Sequence, residues 1–226
     1  MLNQKKALLL IGSPKKRDST SAALGNYLLN SLYQKGFIIE ELHILSILKT
    51  DLQKLLNRVN DCDILILSFP LYVDSLPSPV IRALEAIDAD RKKKQIHRKQ
   101  AMMTIINCGF PETFHNDTAL KICKSFAHET HFKWLGGLAM GGGGAISGRA
   151  IEQLGGMTRN ITRALDMAAE AVMKDAPIPA EALELMSRKL LPIGLYTLVG
   201  HIGWKSQAKK NNAKKKLYAR PYQEGK

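Results

Sequence analysis

The residues best placed to do chemistry lie in one loop. Gly12 to Ser21 reads GSPKKRDSTS. Ser13, Ser19, Thr20 and Ser21 bring hydroxyl donors, and Lys15, Lys16 and Arg17 bring positive charge. A phosphate monoester needs several donors converging on three oxygens, and this set supplies them. The loop follows the apolar run Ala7–Ile11 and opens a helix, whose first N–H groups and dipole favour an anion. The glycine spacing is neither GxGxxG nor GxxxxGK[ST], which excludes a dinucleotide pyrophosphate loop and a P-loop. Ser13, Lys15, Ser19, Thr20 and Ser21 are the candidate anion ligands. Read alone, the loop serves equally well as a helix cap without a ligand.

Two further loops add to it. Ser68–Pro79 reads SFPLYVDSLPSP: its prolines stiffen the chain, and Tyr72 offers a flat amphipathic face to a planar ring. Pro70, Leu71, Tyr72 and Val73 are the candidates there, against the plainer reading that Leu71 and Tyr72 pack the top of a sheet. Asn107–Glu112 reads NCGFPE. Gly109 permits close backbone approach, and neighbouring N–H groups can bond the polar edge of a ring. Asn107, Cys108, Gly109 and Phe110 are the candidates, with an ordinary turn as the alternative. The three cysteines, Cys62, Cys108 and Cys123, form no CxxC pair and are odd in number, which fits reduced, partly buried thiols. Cys108 is also a candidate redox thiol. His115, His128 and His131 have no acidic or cysteine partner at ligand spacing, so no metal site is expected.

Buried strands must hold these loops. Ala7–Ile11 and Asp63–Phe69 are short apolar runs that suit strands buried in a parallel sheet, and Phe37–Leu42, Ala101–Asn107 and Trp134–Met140 read as further strands. Helical periodicity falls between them. It runs over Thr20–Lys35 with Leu24, Leu28 and Leu32 on one face, over about Asp51–Asn60, and from Val80 through Ile87. Further stretches are Asn116–His131, Met157–Met173 and Ala180–Leu191. Asp90–Gln100 reads as a charged surface connector and Gly141–Gly144 as a flexible run. The β–α alternation predicts an α/β doubly wound sandwich: a five-stranded parallel sheet with helices on both faces. Ligands of such sheets sit outside the carboxyl ends of the strands. That rule selects the three loops above.

The 226 residues, 45% hydrophobic, suit one domain. Residues 1–178 form the expected core domain, 179–204 a helical and apolar extension, and 205–226 a basic tail. No run reaches the length of a bilayer span, and no secretory signal is read at the N-terminus, so a cytoplasmic location is expected. The net charge is +13; from Lys205 onward seven Lys and one Arg face one Glu, giving +7 and leaving +6 for residues 1–204. Such a tail suits a solvated extension or an acidic surface; nucleic acid is not the expected partner. Leu190–Trp204 (LLPIGLYTLVGHIGW) is too apolar for water and is expected to pack on the domain or on a second subunit. Peripheral membrane contact is the lesser alternative.

The three loops, in order and spacing over roughly residues 5–175, resemble the flavodoxin-like NAD(P)H-dependent FMN reductases. GSPKKRDSTSAALGNYL is similar to the family's phosphate-binding segment, SFPLYVDSLPSPVIRALE to its second, and NCGFPE stands where its third flavin-contacting loop lies. The resemblance implies that Ser13, Ser19, Thr20 and Ser21 hold the FMN phosphate, that Pro70, Leu71, Tyr72 and Val73 line the ribityl chain and ring, and that Asn107, Cys108, Gly109 and Phe110 flank the ring's polar edge. It implies NADH or NADPH as co-substrate, a small acceptor such as a quinone, nitro or azo compound or flavin, and a homodimer. The cofactor carries the chemistry, so no catalytic side chain is named. Val73-Asp74-Ser75 departs from the more glycine-rich stretch of many relatives, and Asp74 suits an anionic flavin only if it points away. A flavodoxin-type electron carrier and a non-catalytic flavin-binding protein remain as alternatives; carriers of that type are typically acidic, unlike this chain.

Overall fold

Apolar runs covered on both sides become the central strands, and the half-polar stretch IIEELH becomes an edge strand. In the computed structural model, which describes residues 4–220 apart from 16, 97 and 191, the strands are β1 (Lys6–Ile11), β2 (Ile38–His43), β3 (Ile64–Pro70), β4 (Gln100–Asn107) and β5 (Phe132–Met140). All pair in parallel, in the order β2-β1-β3-β4-β5. The chain runs from β1 outward to β2, then crosses back to β3 on the other side. That reversal opens a crevice between the β1 and β3 ends, the usual ligand position of an open α/β sheet. In register, Asn107 stands between Pro70 of β3 and Met140 of β5.

Eight α-helices are described: α1 (Thr20–Gln34), α2 (Ile44–Thr50), α3 (Leu52–Asp61), α4 (Ser78–Lys94), α5 (Asp117–Glu129), α6 (Arg159–Met173), α7 (Ala180–Ser187) and α8 (Ile193–Lys210). Alternate strand residues point to opposite faces. Leu9, Ile66 and Met103 pack against Leu24 and Leu28 of α1 and Leu165 of α6. Leu8, Leu65 and Met102 pack against Leu55 of α3, Val80 of α4 and Cys123 of α5. Each fully buried Leu is worth about 1.5–3 kcal/mol of transfer free energy. The first compact unit runs from Met1 to Leu190 and includes α7, which packs on α6 and β5. Leu191–Lys226, with α8, forms a second.

Two stretches differ from the sequence expectation. Ile44–Thr50, given no element, forms α2 by burying Ile44 and Ile47. Asp90–Gln100 is exposed over Lys92–Gln95, Arg98 and Lys99 as expected, but it is not all connector: α4 continues to Lys94, and its basic last turn, Arg91–Lys94, suits the negative end of the helix dipole. Arg91 and Gln100 are buried. Arg91 Nε donates to Thr130 O (2.8 Å) and Nη1 to Gln100 Oε1 (2.6 Å), while its guanidinium lies 4.1 Å from the Phe132 ring centroid. Charge alone marked these residues as solvated; two hydrogen bonds and a ring face hold Arg91 inside instead, with Nη2 left without a hydrogen-bond partner among the described residues.

Burial pushes the Cys62 and Cys123 thiols up from the ordinary value of 9.0 to about 12. Between those values the unfolded chain loses thiol protons that the folded chain keeps, so folding stability falls as pH rises. The expected slope is about 1.4 kcal/mol per pH unit for each thiol. Urea unfolding between about pH 9 and 12, the window those two values bracket, measures it, with Cys62→Ala/Cys123→Ala losing the thiol part of the slope.

Candidate functional site

The site grows from the first turn of α1. Ser19 caps the helix, its Oγ accepting from Ala22 N–H at 3.1 Å. That leaves the N–H groups of Thr20 and Ser21 without an acceptor among the described residues. The first turn carries no acidic residue. Lys15 and Arg17 are exposed nearby, with no carboxylate partner among the described residues. Ser13 is buried, and its Oγ accepts from Lys15 N–H (3.3 Å), which folds the loop back on itself. Helix N–H groups without an acceptor among the described residues, and Lys15 and Arg17 against the single carboxylate of Asp18, fit a phosphate.

The hydroxyls of Thr20 and Ser21 are engaged inward. Thr20 Oγ1 donates to Gly143 O (2.7 Å), and Ser21 Oγ accepts from Asn107 Nδ2 (2.8 Å). Asn107 Nδ2 also donates to Phe69 O (3.3 Å), and Asn107 O accepts from Leu71 N–H (2.8 Å). One buried amide at the end of β4 therefore ties the first turn of α1 to the end of β3. Of the sequence candidates, the structure brings Thr20, Ser21, Leu71, Asn107 and Cys108 into one bonded set. Ser13 and Lys15 stay with their own loop, and Tyr72, Val73 and Phe110 are exposed around it.

The second loop ends in a two-residue turn. Tyr72 and Ser75 exchange both backbone hydrogen bonds (3.0 and 3.1 Å) across Val73 and Asp74, whose φ angles are +49° and +54°. Such turns favour Asn and Gly, so a β-branched Val here costs about 1–3 kcal/mol. The Val73 side chain is fully exposed. Asp74 Oδ1 lies 3.2 Å from His115 Nδ1, and the His115 ring stacks between Phe110 (4.6 Å) and Phe114 (4.4 Å). This pairing ties Asp74 to the third loop. Phe110 and Phe114 are exposed and put flat apolar surface at the rim.

Cys108 is buried. Its Sγ donates weakly toward Phe110 O (3.3 Å) and Glu112 O (3.5 Å) and accepts from Asn116 Nδ2 (3.5 Å). Burial raises its pKa, the stronger effect over the bond from Asn116. A thiol held protonated is a poor nucleophile.

Sequence reading passed over a fourth loop, Gly141–Gly148. A Cβ at Gly143 would stand 2.8 Å from Asn107 Oδ1, and one at Gly148, where φ is +77°, 2.5 Å from the Asp18 carbonyl carbon. Gly143 N–H donates to Cys108 O (2.9 Å) and Gly142 N–H to Phe110 O (2.7 Å). The glycines let this loop press on both the phosphate-type loop and the third loop. The signal was the run of four glycines directly after a buried strand.

The chain belongs to the NADPH-dependent FMN reductase family, whose model matches residues 5–177. It is an NAD(P)H-dependent flavin oxidoreductase with FMN as cofactor. No curated protein sequence matches it. Its fold is that of an FMN-dependent NADH-azoreductase from Bacillus anthracis solved with FMN, 14% identical, TM-score 0.57, covering 75% of this chain and all of that one. An NADH:FMN oxidoreductase in its apo form is 14% identical with TM-score 0.57, covering 79% and 94%. A flavodoxin of Streptococcus pneumoniae is 11% identical with TM-score 0.54, covering 76% and 99%.

Asn107→Ala removes the tie between α1, β3 and β4 and strands its former acceptors. It is expected to cost about 2–3 kcal/mol, read as a lower urea midpoint at unchanged m-value. Val73→Asn relieves the turn and is expected to add roughly 1 kcal/mol, read as a higher thermal midpoint.

Proposed function

We propose that the first turn of α1 and the Gly12–Ser21 loop hold the FMN phosphate, and that the exposed aromatic rim admits a flat aromatic electron acceptor. The observation that carries this is the bonded set centred on Asn107, which fixes the phosphate-type loop, the second loop and the third loop at one end of the sheet. Thr20 and Ser21 would bind through their backbone N–H groups, Ser13 and Ser19 would shape the loop, and Lys15 and Arg17 would add attraction. Pro70, Leu71, Tyr72 and Val73 would form the wall beside the ribityl chain and ring, and Asn107, Cys108, Gly109 and Phe110 the opposite wall. When bound, FMN supplies two-electron transfer between NADH or NADPH and a second acceptor.

The protein's own contribution is positional and electrostatic. Pre-oriented N–H groups stabilise charge at no cost of reorganisation. The protonated Cys108 thiol holds the third loop through Phe110 O and Glu112 O, and no redox part is given to it. Asp74, drawn to His115, adds its charge beside the aromatic stack rather than standing alone. Phe110, His115 and Phe114 present a surface matched to quinones, nitroaromatics and azo compounds, which stack through flat faces.

Two measurements test this. Lys15→Gln with Arg17→Gln is expected to weaken FMN binding about tenfold, followed by quenching of flavin fluorescence; unchanged affinity removes the phosphate from this loop. Phe110→Ala with Phe114→Ala is expected to raise KM about tenfold for a naphthoquinone and leave it unchanged for ferricyanide. Equal changes for both acceptors would reject the aromatic rim as the acceptor surface.

A further inference from the structure

α8 divides its character along its axis. Its first twelve residues, Ile193–Trp204, carry no charged Lys, Arg, Asp or Glu, and its last six hold Lys205, Lys209 and Lys210. Ile193, Leu195, Leu198, Ile202 and Trp204 are exposed, Trp204 at 74%. At about 100° per residue Leu195, Leu198 and Ile202 share one face of the helix as an apolar stripe, and Ile193 and Trp204 lie roughly opposite. Lys214–Lys216 and Arg220 follow, and residues 191–223 contain no acidic residue. Among the described residues no helix is long and apolar enough to cross a membrane.

We propose that α8 docks the protein on an anionic lipid surface, lying along it with Leu195, Leu198 and Ile202 toward the acyl chains and its basic end among the headgroups. Trp204 stands where the apolar half meets the basic half, and Tyr218 lies farther along the basic segment, 86% exposed; aromatic residues of this kind collect at the membrane interface. Charge decides between occupants. A second copy brings another +13 and repels the basic segment. A nucleic acid answers the charge but gives Leu198 and Ile202 no apolar surroundings. An anionic bilayer answers both, and an apolar insertion with a polybasic patch is the pairing that stable attachment requires.

The full chain is to be sedimented with vesicles of phosphatidylcholine, and of phosphatidylcholine mixed with phosphatidylserine. Binding is expected to the mixed vesicles, with release in high salt. Lys214→Gln/Lys215→Gln/Lys216→Gln is expected to weaken it by about fivefold per charge. Leu198→Glu/Ile202→Glu is expected to abolish it, with circular dichroism and thermal unfolding of the first unit unchanged. Equal affinity for both vesicle types, tighter binding to a DNA duplex than to mixed vesicles, or a dimer in solution that Leu198→Glu/Ile202→Glu disrupts would each overturn the proposal.

Discussion

The Asn107 amide governs the geometry of this molecule's working end. It stands at the last position of β4, next to β3 and β5 in register, and reaches Ser21 Oγ at 2.8 Å and Phe69 O at 3.3 Å. A buried amide without partners costs several kcal/mol, so its bonds must be met in the fold. Meeting them fixes the first turn of α1 over the end of β3. Gly143 then has to approach Asn107 Oδ1 without a side chain, and its carbonyl accepts from Thr20. Four loops from four strands are set by a handful of short bonds.

This arrangement separates the tasks of the serine-rich loop. Hydroxyls of Thr20 and Ser21 hold the scaffold together, while their N–H groups have no acceptor among the described residues. Ser19 does for the helix what a cap does anywhere. An anion at such a place meets pre-oriented donors that need no rearrangement. The strain of Val73 belongs to the same end of the sheet, in a turn whose tip is held by the Asp74–His115 pair. Strain persists where the surroundings over-determine a conformation, and here an aromatic stack does so.

The sheet was legible because β1, β3 and β4 are nearly unbroken apolar runs between turn signals, and parallel strands covered on both faces read that way. Three of the four loops followed from the rule that ligands lie beyond strand carboxyl ends. Gly141–Gly148 did not, since four glycines in sequence look like slack; the need for Gly143 and Gly148 arises only where the Asn107 side chain and the Asp18 backbone come to lie. Nor was the Val73-Asp74 turn visible, because its residues are the wrong chemistry for its geometry. The end of α4 was hidden for a related reason. Arg91 looks solvated until Thr130, Gln100 and the Phe132 ring are placed around it.

The central claim is that the first turn of α1 recognises a phosphate. The direct measurement is the affinity of the apo-protein for FMN against riboflavin, which share the ring and ribityl chain and differ in the phosphate alone. Two charge-assisted bonds to Thr20 and Ser21 N–H groups predict FMN binding about a hundredfold tighter or more. Equal affinities for the two flavins would contradict the account.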